Sequence, residues 1–277
     1  MSLRLVTAAL ALLLMVACAP ATTPTPTATQ SKPPAAATPV SGEIVVFAAS
    51  SLTDAFNDIA TGFQRAHPTA RLTFNFGSSS QLAMQLSQGA SADAFASADQ
   101  MQMDNARRSE AIASADRVFV RNRLIVITPR DNPGQIGTVR DLGKDGIKFV
   151  TAQPGVPIGQ YTAELLDKAS GDPVYGADFK KRVEGNTVSR EDNVRQVVSK
   201  VQLGEADAAV VYSTDATPRV RDQLRIIQVP DALQTIASYP IAVARGSNTA
   251  GGEAFVDYVL GAQGEATLAA WGFMPAP

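Results

Sequence analysis

The stretch EIVVFAASSLTDAFNDIA, residues 43–60, decides the fold class. It begins as an apolar run, passes two serines, and continues with helical spacing: Leu52, Phe56, Ile59, Ala60 and Phe63 fall on one face. A strand that runs straight into an amphipathic helix is half of a βα unit. The pattern recurs along the chain, which predicts an α/β fold with largely parallel strands.

Working outward, short runs rich in valine and isoleucine predict strands at 44–48, 72–76, 94–97, 123–128, 148–152, 208–212, 224–229 and 241–244. Helical periods lie between them at 52–66, 81–88, 160–169, 193–203 and 251–260. Val194, Val197, Val198 and Val201 form an apolar stripe that belongs to a core. Two long extended segments, VFVRNRLIVITP (118–129) and SYPIAVAR (238–245), could each cross between lobes. The expected division is a first lobe of 43–122 plus 238–277 and a second of 123–237. A ligand cleft is expected between the lobes, at the carboxyl ends of the strands.

Ahead of this body, MSLR and LVTAALALLLMVA read as the charged and apolar regions of an export signal over residues 1–18. The apolar stretch is too short to span a bilayer as a mature helix. It ends in Met15-Val16-Ala17-Cys18, which resembles a bacterial lipobox and makes Cys18, the only cysteine of the chain, the expected lipidation site. The competing reading, an incidental thiol in a signal peptide cut elsewhere, ranks second. Residues 19–42 are rich in proline, threonine and alanine and carry no aromatic residue, so they read as a disordered tether. The expected location is extracytoplasmic, on a membrane surface through the lipid anchor or periplasmic.

The 277 residues carry 24 basic and 26 acidic side chains, and this balance provides no basic face for nucleic acid. Catalysis finds little support. His67 is the only histidine and sits in the polar turn RAHPTA, where solvation is expected. No Gly-x-Ser-x-Gly elbow, Walker loop or zinc-spaced cluster occurs. Asp93 and Asp99 could do acid–base work in principle, but ASADAFASAD reads better as a loop and strand.

Four helix starts carry the functional signal. Ser51-Leu-Thr-Asp54 has a capping-box spacing, and Gly77-Ser78-Ser79-Ser80 puts three hydroxyls where the next strand meets a helix, with Gly77 permitting close approach. Gln153-Pro154-Gly155-Val156-Pro157-Ile158-Gly159 bends the chain before a third helix, and Asn193-Val194-Arg195 opens a fourth. Each serine taken singly is best read as a cap. Several helix starts converging on one cleft would instead make an anion site of backbone N–H groups and hydroxyls. Tyr212, closing the strand AAVVY, would add a further donor.

VFAASSLTDAFNDIA, FGSSSQLAMQLSQGASADAFASADQMQMD, EDNVRQVVSKVQLGEADAAVVYSTDA and YPIAVARGSNTAGGEAFVDYVLGAQGEATLAAWGF resemble, in order and spacing, the signature blocks of the periplasmic molybdate-binding proteins of ABC uptake systems. The resemblance covers essentially all of 43–277. It implies a two-lobed type II periplasmic-binding-protein fold, each lobe a mostly parallel sheet flanked by helices. It also implies a monomer that captures molybdate, and tungstate with it, for a membrane permease powered by a separate ATPase.

Carried over by position, the implied ligand set is Ser51, Ser79 and Tyr212 through their hydroxyls, with Ile158 and Val194 through backbone N–H. No cofactor and no free-cation site are expected, since the oxyanion is cargo. Ser50, Ser78 and Ser80 are expected as caps or neighbours, Tyr161 and Tyr175 as packing residues, and Met101 with Met103 as part of a helix face. Some branches of the family coordinate the metal with carboxylates, and Asp54 leaves that alternative open. A receptor for sulfate is the nearest rival, and an enzyme on the same fold is the remote one.

Overall fold

The computed structural model describes residues 40–277. The expected signal peptide, the lipidation at Cys18 and the tether up to residue 39 lie outside the described residues. In chain order the strands are β1 (Gly42–Ala49), β2 (Ala70–Gly77), β3 (Ala94–Ala96), β4 (Arg117–Asn122), β5 (Leu124–Pro129), β6 (Phe149–Ala152), β7 (Thr187–Glu191), β8 (Ala208–Tyr212), β9 (Leu224–Gln228), β10 (Ala237–Val243) and β11 (Met274–Pro275). The helices are α1 (Thr53–Ala66), α2 (Ser79–Ser87), α3 (Gln100–Arg108), α4 (Pro157–Gly171), α5 (Phe179–Gly185), α6 (Val194–Gln202), α7 (Thr249–Leu260) and α8 (Ala262–Ala270).

Two sheets organise these elements. The first runs β11-β4-β10-β3-β1-β2 and the second β7-β6-β8-β5-β9. The first therefore draws on both ends of the described chain, and the second lies wholly within 124–228. The segment 118–129 makes the outward crossing, with Arg123 alone separating β4 from β5. SYPIAV does not cross, because all of β10 pairs within the first sheet, against β3 and β4. The chain returns instead between the end of β9 and the start of β10.

Both sheets are mixed, which corrects the expectation of mostly parallel sheets. β1 pairs parallel with β2 and β3, and β6 pairs parallel with β7 and β8. β10 runs against β3 and β4, and β5 runs against β8 and β9. These strands belong to the two crossings: a chain leaving or entering a sheet from the other enters it opposite to strands connected by local βα turns. The βα units, where the helix starts lie, keep the parallel arrangement.

The core follows from the apolar stripes. Phe56, Ile59 and Phe63 of α1 are buried against the first sheet, where Phe56 meets Phe74, Phe119 and Phe255 at centroid distances of 6.0, 6.0 and 5.7 Å. Burying each such ring stabilises the fold by about 1.5–3 kcal/mol. Val194, Val197, Val198 and Val201 turn the buried face of α6 to the second sheet. The polar Asp93 is also buried, and it staples the first sheet by accepting from Val45 N–H at 2.8 Å and Asn248 N–H at 2.6 Å. That role suits a structural carboxylate.

Two short strands and three helices escaped the sequence pattern, β7, β11, α3, α5 and α8, while β4 falls in the extended segment 118–129 without having been set apart as a strand. β1 begins at Gly42, one residue ahead of the predicted start of the body. Val40 already packs on the core, and its carbonyl accepts from the Thr69 hydroxyl at 2.9 Å.

Candidate functional site

The carboxyl ends of β1, β2, β6, β7 and β8 and the helix starts that follow them surround one small cavity. Ser51, Ser79, Ile158, Val194 and Tyr212, which the sequence leaves more than 150 residues apart at the extremes, all line it. Its wall is otherwise small or apolar, including Ala49, Gly77 and Ala98, and no charged side chain contributes to it among the described residues.

Backbone donors come from helix geometry. Ser79 and Val194 are the first residues of α2 and α6, and Ile158 is the second of α4. N–H groups at such positions have no intrahelical acceptor and sit at the positive end of the helix dipole. Ser78 and Asn193 cap α2 and α6 by accepting from Gln81 N–H at 3.3 Å and Gln196 N–H at 3.2 Å. The caps satisfy donors farther in and leave unclaimed the outermost ones, which belong to residues that line the cavity. Pro157 opens α4, where a missing N–H costs nothing.

Hydroxyls supply the rest. Ser79 Oγ accepts from the Ala98 N–H at 2.9 Å, which fixes the oxygen and leaves its proton to donate elsewhere. Ser51 Oγ lies 3.1 Å from the Tyr239 hydroxyl. Tyr212 is 1% exposed and its hydroxyl, though buried, has no hydrogen-bond partner. Burial, with Tyr239 and Tyr161 nearby, pushes the Tyr212 hydroxyl well above its ordinary range, so it stays a neutral donor. An unpartnered buried hydroxyl costs about 1–3 kcal/mol, and such a group calls for a ligand or a water.

The family model for bacterial extracellular solute-binding protein matches residues 44–274. The chain belongs to this family. Among curated relatives, the molybdate-binding protein ModA of Mycobacterium tuberculosis is 37% identical over 241 residues, covering 87% of each chain. Two solved structures share the fold. The sulfate-binding protein SubI of Mycobacterium tuberculosis has a TM-score of 0.75 at 16% identity, over 84% of this chain and 86% of that one. The periplasmic molybdate-binding protein of Azotobacter vinelandii has a TM-score of 0.71 at 16% identity, over 84% of this chain and 100% of that one.

In this solute-binding protein several sequence readings need revision. Ser51 does not complete a capping box: neither the 3-10 turn Ser50–Leu52 nor α1 has a side-chain cap. Its hydroxyl turns to Tyr239 instead, and Thr53 secures the turn by donating to the Ser50 carbonyl at 2.7 Å. Asp54, whose direction the sequence left open, is not among the residues that line the cavity and pairs with Arg195 at 2.6 Å. Gly77 has space for a Cβ in ordinary contact, 3.4 Å from Leu82. At the start of α4, by contrast, Gly159 has no such room: a Cβ there would lie 2.6 Å from the Gln153 carbonyl oxygen and 2.9 Å from that of Ala152. That close approach seats the start of α4 on the end of β6.

Residues expected to be bystanders divide. Tyr175 packs on Phe179, and Met103 is buried while Met101 is exposed. His67 is half-buried against the Phe63 ring at 4.5 Å, less solvated than its turn suggested. Tyr161 does more than pack: its ring meets Tyr212 edge-on at 6.2 Å and its hydroxyl donates to the Ala98 carbonyl at 3.4 Å. Tyr239 was missed. The available signal was a tyrosine inside the apolar strand YPIAV, since a hydroxyl buried there must find a partner. Asp99 caps α3 through the Gln102 N–H at 2.9 Å, and burial raises its pKa to about 6.

Proposed function

We propose that this solute-binding protein captures molybdate, and tungstate with it, outside the cytoplasm and delivers it to an ABC importer. Hydroxyls of Ser51, Ser79 and Tyr212 and backbone N–H groups of Ile158 and Val194 bind the oxyanion. What carries the reading is the Tyr212 hydroxyl, a buried donor without a partner on a cavity wall free of charged side chains. A fully deprotonated dianion needs donors only, and each hydrogen bond to it contributes about 1.5–3 kcal/mol. Phosphate near neutral pH still carries a proton and would gain from an acceptor on the wall. The curated relatives named for molybdate support the same cargo.

Binding closes a lobe of 43–122 plus 238–277 on a lobe of 123–237, and the closed monomer docks on the permease. Lipid on Cys18 holds the protein at the membrane, and Cys18→Ser is expected to move it into the soluble fraction; retention on membranes would refute the anchor.

Sulfate is the second reading, favoured by the likeness to a sulfate-binding structure, since both dianions are tetrahedral. Thermal melts with molybdate, tungstate, sulfate and phosphate separate the readings. At about 100-fold excess over Kd a specific ligand adds about 2.7 kcal/mol, some 5–10 °C in Tm for a body of this size. Equal stabilisation by sulfate and molybdate would remove the specificity.

A further inference from the structure

Arg195 follows Val194 at the start of α6, and Asp54 stands in the first turn of α1, on the other side of the cavity. The guanidinium spans the gap with two branches. Nε donates to the Ser50 carbonyl at 3.1 Å and Nη2 to the Asp54 carboxylate at 2.6 Å. The pair is mostly shielded, with the Asp54 side chain 13% exposed and that of Arg195 29%. Arg219, at 4.0 Å from the other Asp54 oxygen, is 83% exposed and adds little. The fork thus ties Ser50, beside the hydroxyl of Ser51, to the residue beside the Val194 N–H.

Other hydrogen bonds also join the two lobes: near the outward crossing, Asn122 donates to the Thr214 hydroxyl and accepts from the Ser213 hydroxyl, both at 2.8 Å. Gln102 donates to the Gly155 carbonyl at 3.1 Å, and Tyr161 to the Ala98 carbonyl at 3.4 Å. All of these are bonds between neutral groups. The Arg195 fork is the charge-assisted tie, with planar geometry that a lysine cannot reproduce.

We propose that Asp54 and Arg195 form a latch that holds the cavity closed and sets how slowly the bound oxyanion leaves. The inference rests on the oxyanion reading of the site. It explains why a carboxylate stands one turn from a site for a dianion. As a bare charge Asp54 would repel the cargo, but as half of a latch it lengthens residence, and its charge is neutralised by the same guanidinium that it holds.

These two effects have opposite signs, which makes Asp54→Asn decisive. If Asp54 acted only through its charge, its removal would tighten molybdate binding. The latch predicts the reverse: in stopped-flow measurements at physiological ionic strength, Asp54→Asn releases molybdate at least ten-fold faster, with the association rate within about two-fold of the parent. Arg195→Lys, which keeps the charge and loses the fork, should do the same, and the double variant should be no worse than the poorer single one. Slower or unchanged release from Asp54→Asn overturns the latch.

A second measurement needs no ligand. Because Cys18 is the only cysteine, the full chain with Cys18→Ser can carry nitroxide labels at Gln64→Cys and Leu203→Cys, and pulsed electron spin resonance reads the distance between them. The latch predicts a longer mean distance in the ligand-free chain when Asp54→Asn is added. An unchanged distribution overturns it. A parent that binds none of the oxyanions refutes the proposed function and leaves this distance test standing.

Discussion

Replacing Tyr212 with phenylalanine should move stability and affinity in opposite directions. The buried ring packs edge-on to Tyr161 at 6.2 Å and to Tyr239 at 5.7 Å, and phenylalanine fills the same space. The hydroxyl it removes is buried and has no partner among the protein's own groups. Losing it relieves a desolvation cost of about 1–3 kcal/mol, and for a body of this size each 1 kcal/mol shifts Tm by about 2–4 °C, so the apo Tm should rise by several degrees. In the proposed function the same hydroxyl donates to the bound oxyanion, a hydrogen bond worth about 1.5–3 kcal/mol, so its loss should raise the Kd for molybdate about ten- to hundred-fold. Calorimetric titration and scanning calorimetry of Tyr212→Phe against the parent test both halves. A lower apo Tm with unchanged affinity would mean that the hydroxyl serves the fold and not the cargo.

Two further outcomes follow from the same geometry. Asp215 is fully buried, accepts the Tyr212 N–H at 3.0 Å through one oxygen and leaves the other unpartnered; burial raises its pKa from 3.8 to about 6, opposed by Arg195 and the Tyr212 N–H. The folded state therefore binds its proton more tightly than the unfolded chain, so stability is greatest below pH 4 for this group and is lost as pH rises through about 6, a change of roughly 3 kcal/mol. Asp215→Asn should flatten the decline in urea midpoint between pH 4 and 7, with Asp99 keeping part of the slope, and superimposable profiles would refute the assignment. Gly159→Ala should force a Cβ onto two backbone carbonyls, cost about 1–3 kcal/mol in unfolding and weaken molybdate binding by shifting the Ile158 N–H; parental Tm and Kd would show that α4 relaxes freely.

The fold was legible where periodicity is long and apolar. β1 with α1 and β8 with α6 announce themselves because an unbroken apolar run and a helical stripe have few other uses. β7, Thr187–Glu191, reads TVSRE and lies at a sheet edge with no buried residue, so it has no apolar signature. α3 and α8 carry short or weak stripes. Strand direction was the larger error: the crossing segment 118–129 was visible as a long extended run, but only the three-dimensional path makes β5 and β10 antiparallel to their neighbours.

The site was legible to a different depth. Its wall positions are helix starts, and helix starts are written in serine, asparagine, proline and glycine, so convergence of four could be anticipated. What a hydroxyl bonds to was not. Ser51 and Ser78 look alike in sequence, yet Ser78 caps α2 while Ser51 faces Tyr239, a residue 188 positions away that shares no local pattern with it. The same holds for charge. Asp54 read alone is a hazard to an anion site, and only its partner 141 residues later turns it from repulsion into a tie across the cavity. A carboxylate near a dianion is therefore interpretable only with its counter-charge, and that counter-charge belongs to tertiary structure.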